Sequence, residues 1–195
     1  MDTLKAFLTW AYELEYIEKL PLFPTISIDF KIPQWMQEQE RGEVLSFLPE
    51  NDRFAYLFLM LHGCRPSEAR ALQVQDINFE HGSIIFRRVY TGRSGNTLIE
   101  RTKAHRPRVI PINPDMEHIL RELCMNKLPS SFVFTDSKTG NPYPSRTLVK
   151  RWQAACKKAG KKIGLYAGSK HSWASQRASK GLSIYLISKV LGHTN

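Results

Sequence analysis

The sequence has no aspartate or glutamate from Ser137 to Asn195, although this stretch carries twelve lysine and arginine residues. The preceding 136 residues hold 16 basic and all 18 acidic side chains, so the whole excess of positive charge lies in the last third of the chain. A domain tolerates such self-repulsion most readily where a polyanion faces it, and nucleic acid is the commonest such partner. Composition alone leaves open the alternative that these lysine-rich helices are simply solvated.

Cysteines and long apolar runs are also scarce. The three cysteines, Cys64, Cys124 and Cys156, lie far apart and lack CxxC spacing, which argues against a disulfide framework and a structural zinc site. Apolar runs such as 54–61 are far too short to span a membrane. The cysteine pattern predicts a protein of a reducing, bacterial-type cytoplasm, and the basic charge favours association with the nucleoid there. No metal and no cofactor are expected.

The spacing of apolar residues predicts a mainly α fold with a small three-stranded antiparallel sheet (α+β). The expected helices are 3–20, 35–48, 54–62, one starting at Pro66, 115–125, 145–159, 169–180 and 183–191, and the expected strands are 74–79, 83–88 and 106–111. Residues 91–96 are predicted to form a polar loop. Ser145 and Ser183 are plausible helix caps, and Gly160 and Gly181 are plausible helix stops.

Two domains are predicted, one at 1–33 and one at 34–195. Helix 3–20 has a large apolar stripe and is followed by Pro21 and Pro24, so the segment up to Pro33 is expected to be an extended linker. One such helix cannot form a domain alone. It either docks on the later part of the chain or is the end of a domain cut away upstream.

Three segments contain residues suited to phosphate chemistry. In the first, Gly63 allows a sharp turn after a buried helix, and Arg65 stands where the next helix begins. Helix N-termini attract anions, so an arginine there would suit a phosphate. Glu68 lies one turn later and is expected to orient the guanidinium. The alternative is a simple surface pair between the two side chains.

The second segment is a basic hairpin, residues 101–108, that leads into an apolar strand. Lys103 suits a mobile tip that reaches a phosphate or protonates a leaving oxygen, because its ammonium is a compact and flexible donor. A charged hairpin tip that is merely solvated is the alternative.

The third segment joins residues 167–175 to Leu191-Gly192-His193. Trp173 is expected to pack inward and to leave Lys170 near the start of a helix. His193 follows a helix that ends at Gly192, where a cap or core role is the alternative to catalysis.

In this order and spacing, the three segments resemble the catalytic domain of tyrosine recombinases (phage integrases) over residues 34–195. The most specific parts are Arg65-Pro66-Ser67-Glu68 and Leu191-Gly192-His193. The resemblance implies that residues 1–33 are the last helix of a core-binding domain and its linker. It also implies a bacterial or phage-encoded protein that acts on a double-stranded DNA attachment site.

The resemblance further implies a role for each matching residue. In that family two arginines and a histidine hold the scissile phosphate, a hairpin lysine is the general acid, and a tyrosine is the nucleophile. Arg65 matches the first arginine, Lys103 the lysine and His193 the histidine, and Glu68 matches the acidic residue that follows the first arginine. Residues implied to contact DNA are Arg93, Arg101, Arg106, Arg108, Arg146 and Lys150.

The chain departs from the family pattern in its third segment. Lys170 stands where the second arginine is usual, and Ala167 stands where a histidine is usual. Lysine keeps the charge but loses the planar fork that grips two phosphate oxygens. We therefore expect weaker binding of the transition state, or compensation by a neighbour such as His171.

No tyrosine follows His193 in these 195 residues, and Tyr166 and Tyr185 both precede it. The chain is therefore expected to be truncated before its nucleophile and unable to cleave DNA. The resemblance implies a tetramer of the full-length protein on DNA, and a monomer for this fragment. Two alternatives remain open: a DNA-binding accessory protein with degenerate catalysis, and a basic helical module that binds RNA.

Overall fold

The computed structural model describes residues 2–23, 34–91, 96–100, 107–136 and 138–192. The chain divides into two compact units, Met1–Ile32 and Pro33–Asn195. The first unit contains helix α1 (Asp2–Glu13), which is shorter than the predicted helix because Glu15 adopts a left-handed backbone, with φ of 59°. Its origin in a core-binding domain stays a prediction.

The second unit is mostly helical and carries two small antiparallel sheets, which confirms the predicted fold class. Its helices are α2 (Glu38–Ser46), α3 (Glu50–His62), α4 (Pro66–Arg70), α5 (Pro114–Cys124), α6 (Ser145–Lys158), α7 (Ser172–Ser179) and α8 (Ile184–Leu191). Its strands are β1 (Ile77–Asn78), β2 (Ser83–Phe86), β3 (Val89–Thr91), β4 (Thr97–Ile99) and β5 (Arg108–Pro111). Among these described residues, no helix is both long and apolar enough to cross a membrane.

The predicted three-stranded sheet is present with β2 in the centre, in the order β1-β2-β5. The strand expected at 74–79 is shorter, because Val74–Asp76 forms a 3₁₀ turn before β1. The buried Asp76 carboxylate holds this turn, since it accepts hydrogen bonds from the Gln73 backbone N–H and from Arg88.

A second sheet, which was not predicted, pairs β3 with β4. Thr91 of the predicted polar loop belongs to β3, and residues 92–95 of that loop lie outside the described residues. The Arg70 guanidinium lies 4.5 Å from the centre of the Tyr90 ring and donates to the side chain of Asn96. Arg70 is the last residue of α4, so this contact fastens the two-stranded sheet to the helix that begins after Arg65.

Helix α3 lies in the middle of the core, as its continuous apolar sequence predicts. Its Tyr56 and Phe58 side chains are fully buried, and Tyr56 stacks on Trp152 of α6 with ring centres 6.0 Å apart. The Tyr56 hydroxyl donates to the Leu148 carbonyl at 2.8 Å. These contacts pack α6 firmly against α3.

The helix predicted over 169–180 is instead two elements. Ala167–His171 forms a π-helical turn, and α7 follows it without a break. Gly168 is needed in this turn, because a Cβ built there would stand 2.5 Å from the Trp152 ring. The Ser172 hydroxyl donates to the Ala167 carbonyl and accepts from the Met36 backbone N–H, both at 2.8 Å.

The predicted caps have different outcomes. The Ser183 side chain accepts a hydrogen bond from the Leu186 N–H, which confirms it as the N-cap of α8. The prediction for Ser145 is wrong, because Pro144 occupies the cap position and Ser145 is the first helical residue. The rigid φ of proline already directs the chain into α6.

Candidate active site

The site is built around the turn between α3 and α4. Helix α3 ends where Gly63 adopts a left-handed backbone with φ of 59° and donates its N–H to the Leu59 carbonyl. The extended residue Arg65 follows, and Pro66 starts α4. The predicted turn and helix start are therefore confirmed, and they fix where the Arg65 side chain leaves the backbone.

Glu68 is a buried carboxylate, with 2% of its side chain exposed. Its Oε1 accepts from the Arg65 guanidinium at 2.8 Å, and its Oε2 accepts from the Arg65 backbone N–H, also at 2.8 Å. Glu68 thus holds the Arg65 side chain in a mostly buried ion pair rather than in a simple surface pair, and a role of this pair in binding a phosphate stays a prediction. The backbone N–H of Arg65 binds Glu68, so the short helix α4 does not present it to an anion.

Arg108 is the second arginine on the same carboxylate. Its guanidinium donates to Glu68 Oε2 at 2.7 Å, and only 11% of its side chain is exposed. Arg65 keeps 21% of its side chain exposed. Sequence reasoning placed Arg108 among DNA contacts and did not find this pairing, which joins positions 40 residues apart.

Lys170 is almost completely buried, with 1% of the residue exposed. Its ammonium donates to the Leu191 carbonyl at 3.0 Å. Burial and, to a smaller extent, the positive charge of Arg65 together lower the pKa of Lys170 to about 8, although the negative charge of Glu68 opposes both effects. Lys170 therefore lies in the electrostatic field of the Arg65–Glu68 pair rather than on an open helix surface.

The other described candidates lie outside this cluster of Arg65, Glu68, Arg108 and Lys170. His171 is exposed, and its ring meets the Tyr166 ring edge-on, with centres 5.0 Å apart. Arg146 and Lys150 are exposed and one turn apart on α6. Among the described residues, none of these three shares a hydrogen bond or an ion pair with the cluster.

Five candidates lie outside the described residues: Lys103, His193, Arg93, Arg101 and Arg106. Their roles stay predictions.

Trp173, which was expected to pack inward, is buried and donates its indole N–H to the Leu61 carbonyl at 2.9 Å. An apolar cavity of about 730 Å³ lies beside it, lined by Leu61, Ile110, Leu182 and Leu186 among others, and none of the four cluster residues lines this cavity. Within the ranges that the structure describes, no group of three or more His, Cys, Asp or Glu side chains is placed to hold a metal.

Comparison with known proteins identifies the class to which this fold and site belong. Residues 31–195 match the phage integrase family, and the chain belongs to that family. The sequence resemblance is therefore confirmed as to family.

Among individual proteins, the chain is similar to two tyrosine recombinases from Pyrococcus species. It is 28% identical over 204 residues to the tyrosine recombinase XerA of Pyrococcus furiosus, covering 100% of this chain and 64% of the relative. It is 29% identical over 170 residues to XerA of Pyrococcus horikoshii, covering 84% of this chain and 54% of the relative. The chain thus spans less than two thirds of the length of these relatives.

Solved structures support the fold. The integrase of transposon Tn1549 in complex with a circular intermediate DNA matches with a TM-score of 0.84 and 19% identity, over 100% of this chain and 70% of that one. A crystal structure of XerA recombinase matches with a TM-score of 0.63 and 18% identity, over 85% of this chain and 58% of that one. At such identities the likeness concerns the fold alone.

Proposed function

We propose that this chain is the DNA-binding catalytic domain of a site-specific recombinase that cleaves and rejoins double-stranded DNA. The observation that carries the proposal is the cluster around Glu68, in which one buried carboxylate faces Arg65, Arg108 and the buried ammonium of Lys170. Three cations and one anion leave an excess of positive charge that a DNA phosphate would neutralise.

The proposed chemistry is phosphoryl transfer to a tyrosine. The tyrosine loses its phenolic proton to solvent and its oxygen attacks the phosphorus, the bond from phosphorus to the 5′ oxygen breaks, and Lys103 protonates the leaving oxygen as general acid. Arg65, Lys170 and His193 hold the phosphate while negative charge accumulates on it. The resulting 3′-phosphotyrosine conserves the phosphodiester bond energy, so that religation needs no ATP.

We propose that these 195 residues bind DNA without cleaving it, because no tyrosine follows His193 in them. In a longer polypeptide with a tyrosine beyond Asn195, nicked attachment-site DNA should trap a covalent adduct. DNA binding without an adduct on any cognate substrate would contradict the catalytic proposal.

Binding itself is tested with the chain as it stands. We expect affinity for double-stranded DNA to fall steeply with salt, because phosphate contacts release counterions. Replacing an arginine that binds a phosphate should reduce the slope of log affinity against log salt by about 1. Arg65→Gln should show this loss, and Arg121→Gln is the matched control, because Arg121 is half-exposed and paired with Glu117 on α5. A salt-independent affinity would contradict the proposal.

A DNA-binding accessory protein with degenerate catalysis is the second candidate. It is favoured by Ala167, whose methyl group cannot donate to a phosphate, and by Lys170, which lacks the arginine fork. Lys170→Arg in the longer polypeptide separates the two functions. Faster cleavage supports the enzyme, and complete inertness of both versions supports the accessory protein.

For the assembly we propose a monomer of this chain in solution and a tetramer of the full-length protein on paired DNA sites, in the nucleoid of a bacterial cytoplasm. Light scattering with and without DNA measures both states. A stable oligomer of the free 195-residue chain would contradict the first part.

A further inference from the structure

The alternation of side chains along strand β5 directs Arg108 towards the interior. Successive side chains of a strand alternate between its faces, so Arg108 shares a face with the buried Ile110. Its register partner on β2 is the buried Phe86, and the Arg108 guanidinium lies 4.9 Å from the centre of that ring. An arginine from the basic segment that was predicted to be a hairpin is thus directed away from solvent by the sheet.

The guanidinium of Arg108 joins two distant segments. One N–H group donates to Glu68 of the first segment, at 2.7 Å, and another donates to the carbonyl of Val190 in α8. A planar guanidinium can bind two acceptors in a fixed geometry, which a lysine ammonium on a flexible stem does not reproduce. Arg108 therefore sets the distance between Glu68 and the end of α8.

The end of α8 needs such partners, because the last four carbonyls of a helix have no intrahelical donor. The Gly192 N–H donates hydrogen bonds to the carbonyls of Ser188 and Lys189. The Arg108 guanidinium donates to the carbonyl of Val190, and the Lys170 ammonium donates to that of Leu191. All four carbonyls are thus bonded. Two of the donors are cations, which the negative end of the helix dipole favours.

Gly192, directly after α8, lies next to the Arg108 side chain. It has a left-handed backbone with φ of 67°, and a Cβ built on it would stand 3.2 Å from a guanidinium nitrogen of Arg108. The glycine that precedes His193 thus leaves room for the arginine to pass.

From these contacts we infer that Arg108 is a positioning residue, which fixes Glu68, and through it Arg65, against the end of α8, and is not a DNA contact. The inference rests on the proposed function only as far as Arg65 binds a phosphate. The structural half of the inference, that Arg108 holds the end of α8 through the Val190 carbonyl, does not depend on DNA binding.

Hydrogen exchange tests the structural half in the free 195-residue chain. In Arg108→Gln the amides of the last turn of α8 should exchange about tenfold faster or more, because a charge-assisted hydrogen bond is lost. Arg121→Gln is the control and should leave α8 unchanged. Arg108→Lys keeps the charge without the fork and should not restore protection. Full protection in Arg108→Lys, or unchanged exchange in both variants, would overturn the inference.

DNA affinity tests the functional half. Arg108→Gln should weaken binding several-fold while leaving the salt slope unchanged, whereas loss of a phosphate contact lowers the slope by about 1. The weakening should vanish when Arg65→Gln is already present, because interacting residues are not additive. A reduced slope or an additive effect would overturn the inference. If the wild-type chain binds no DNA, the proposed function fails, and the exchange result alone decides on Arg108.

Discussion

Gly63 lies directly against the indole of Trp173: a Cβ built on Gly63 would stand 2.6 Å from the Trp173 ring. The same indole donates to the Leu61 carbonyl. These contacts fasten α7 to the turn that leads into Arg65. The first and third segments of the site are thus joined by a glycine and a tryptophan as well as through Arg108, which bonds both Glu68 and the Val190 carbonyl.

Gly63→Ala should therefore destabilise the protein by about 3 kcal/mol or more, because left-handed strain and overpacking against the indole add together. Gly82→Ala is the matched control, since Gly82 has φ of 55° and open space around it. The control should lose only about 1 kcal/mol. Urea unfolding measures both, and equal losses would contradict the role of the Trp173 contact.

Lys170→Met should stabilise the fold at pH 7 by about 1–2 kcal/mol, because the buried ammonium costs more than its single hydrogen bond returns. The pKa of Lys170 is lowered to about 8 in the folded protein, from an ordinary 10.5. The cost of burying the charge is complete below pH 8 and falls as the pH rises towards 10.5. Thermal unfolding at pH 7 and pH 10 should therefore show a smaller gain at pH 10. A loss of stability at both pH values would contradict this account.

His62 should make the fold sensitive to acid. Its Nε2 accepts from the Asn113 N–H and its Nδ1 donates to the Phe58 carbonyl, both at 3.0 Å, which requires a neutral ring. Burial lowers the pKa of His62 to about 4, so the unfolded chain binds the proton first, and stability falls as the pH drops from about 6.5 to 4.

His62→Gln offers a donor and an acceptor without this titration. Between pH 7 and pH 4 the wild type should lose roughly 2–3 kcal/mol more unfolding free energy than His62→Gln. His81→Gln, at an exposed position, is the control and should follow the wild type. If the unfolding free energy of all three proteins fell by the same amount between pH 7 and pH 4, the prediction would be refuted.

Gly192→Ala should cost more stability than Gly160→Ala, although the two glycines have nearly the same φ, 67° and 66°. Space is open around Gly160, whereas Arg108 lies beside Gly192, so the difference isolates that contact. It should disappear in an Arg108→Gln background. Chemical denaturation of the four variants measures it, and a difference that persists would assign the cost to another neighbour.

The sequence was sufficient for features set by near neighbours. The stop at Gly63, the helix start at Pro66 and the cap at Ser183 each depend on the backbone preference or side chain of one residue, and the structure has all three. The pairing of Arg65 with Glu68 likewise follows from a spacing of three residues on a helix. The family pattern then brought these segments into one site.

Features set by distant partners could not be predicted in this way. Nothing local to Arg108 indicates Glu68 or Val190, although its alternation with the apolar Ile110 could have suggested an inward direction. The burial of Lys170 depends on α8, which comes later in the chain. The β3–β4 pairing was not predicted either. The Tyr90 side chain of β3 packs against Arg70, which belongs to α4 and lies 20 residues earlier in the chain, so the residues around Tyr90 do not indicate this contact.

The π-helical turn at Ala167–His171 limits how the length of this segment can vary. Such a turn holds one more residue than an α-helical turn, and one residue of an α-helix corresponds to a rotation of about 100°. Deleting one residue of the turn would leave a regular α-helix. The side chains before the deletion would then be rotated by about 100° around the helix axis relative to those after it. Gly168 could then no longer meet Trp152 while Trp173 meets Gly63. Substitutions within the turn keep the relative rotation of the two helical segments. Inserting or deleting one residue would break either the contact of Gly168 with Trp152 or that of Trp173 with Gly63.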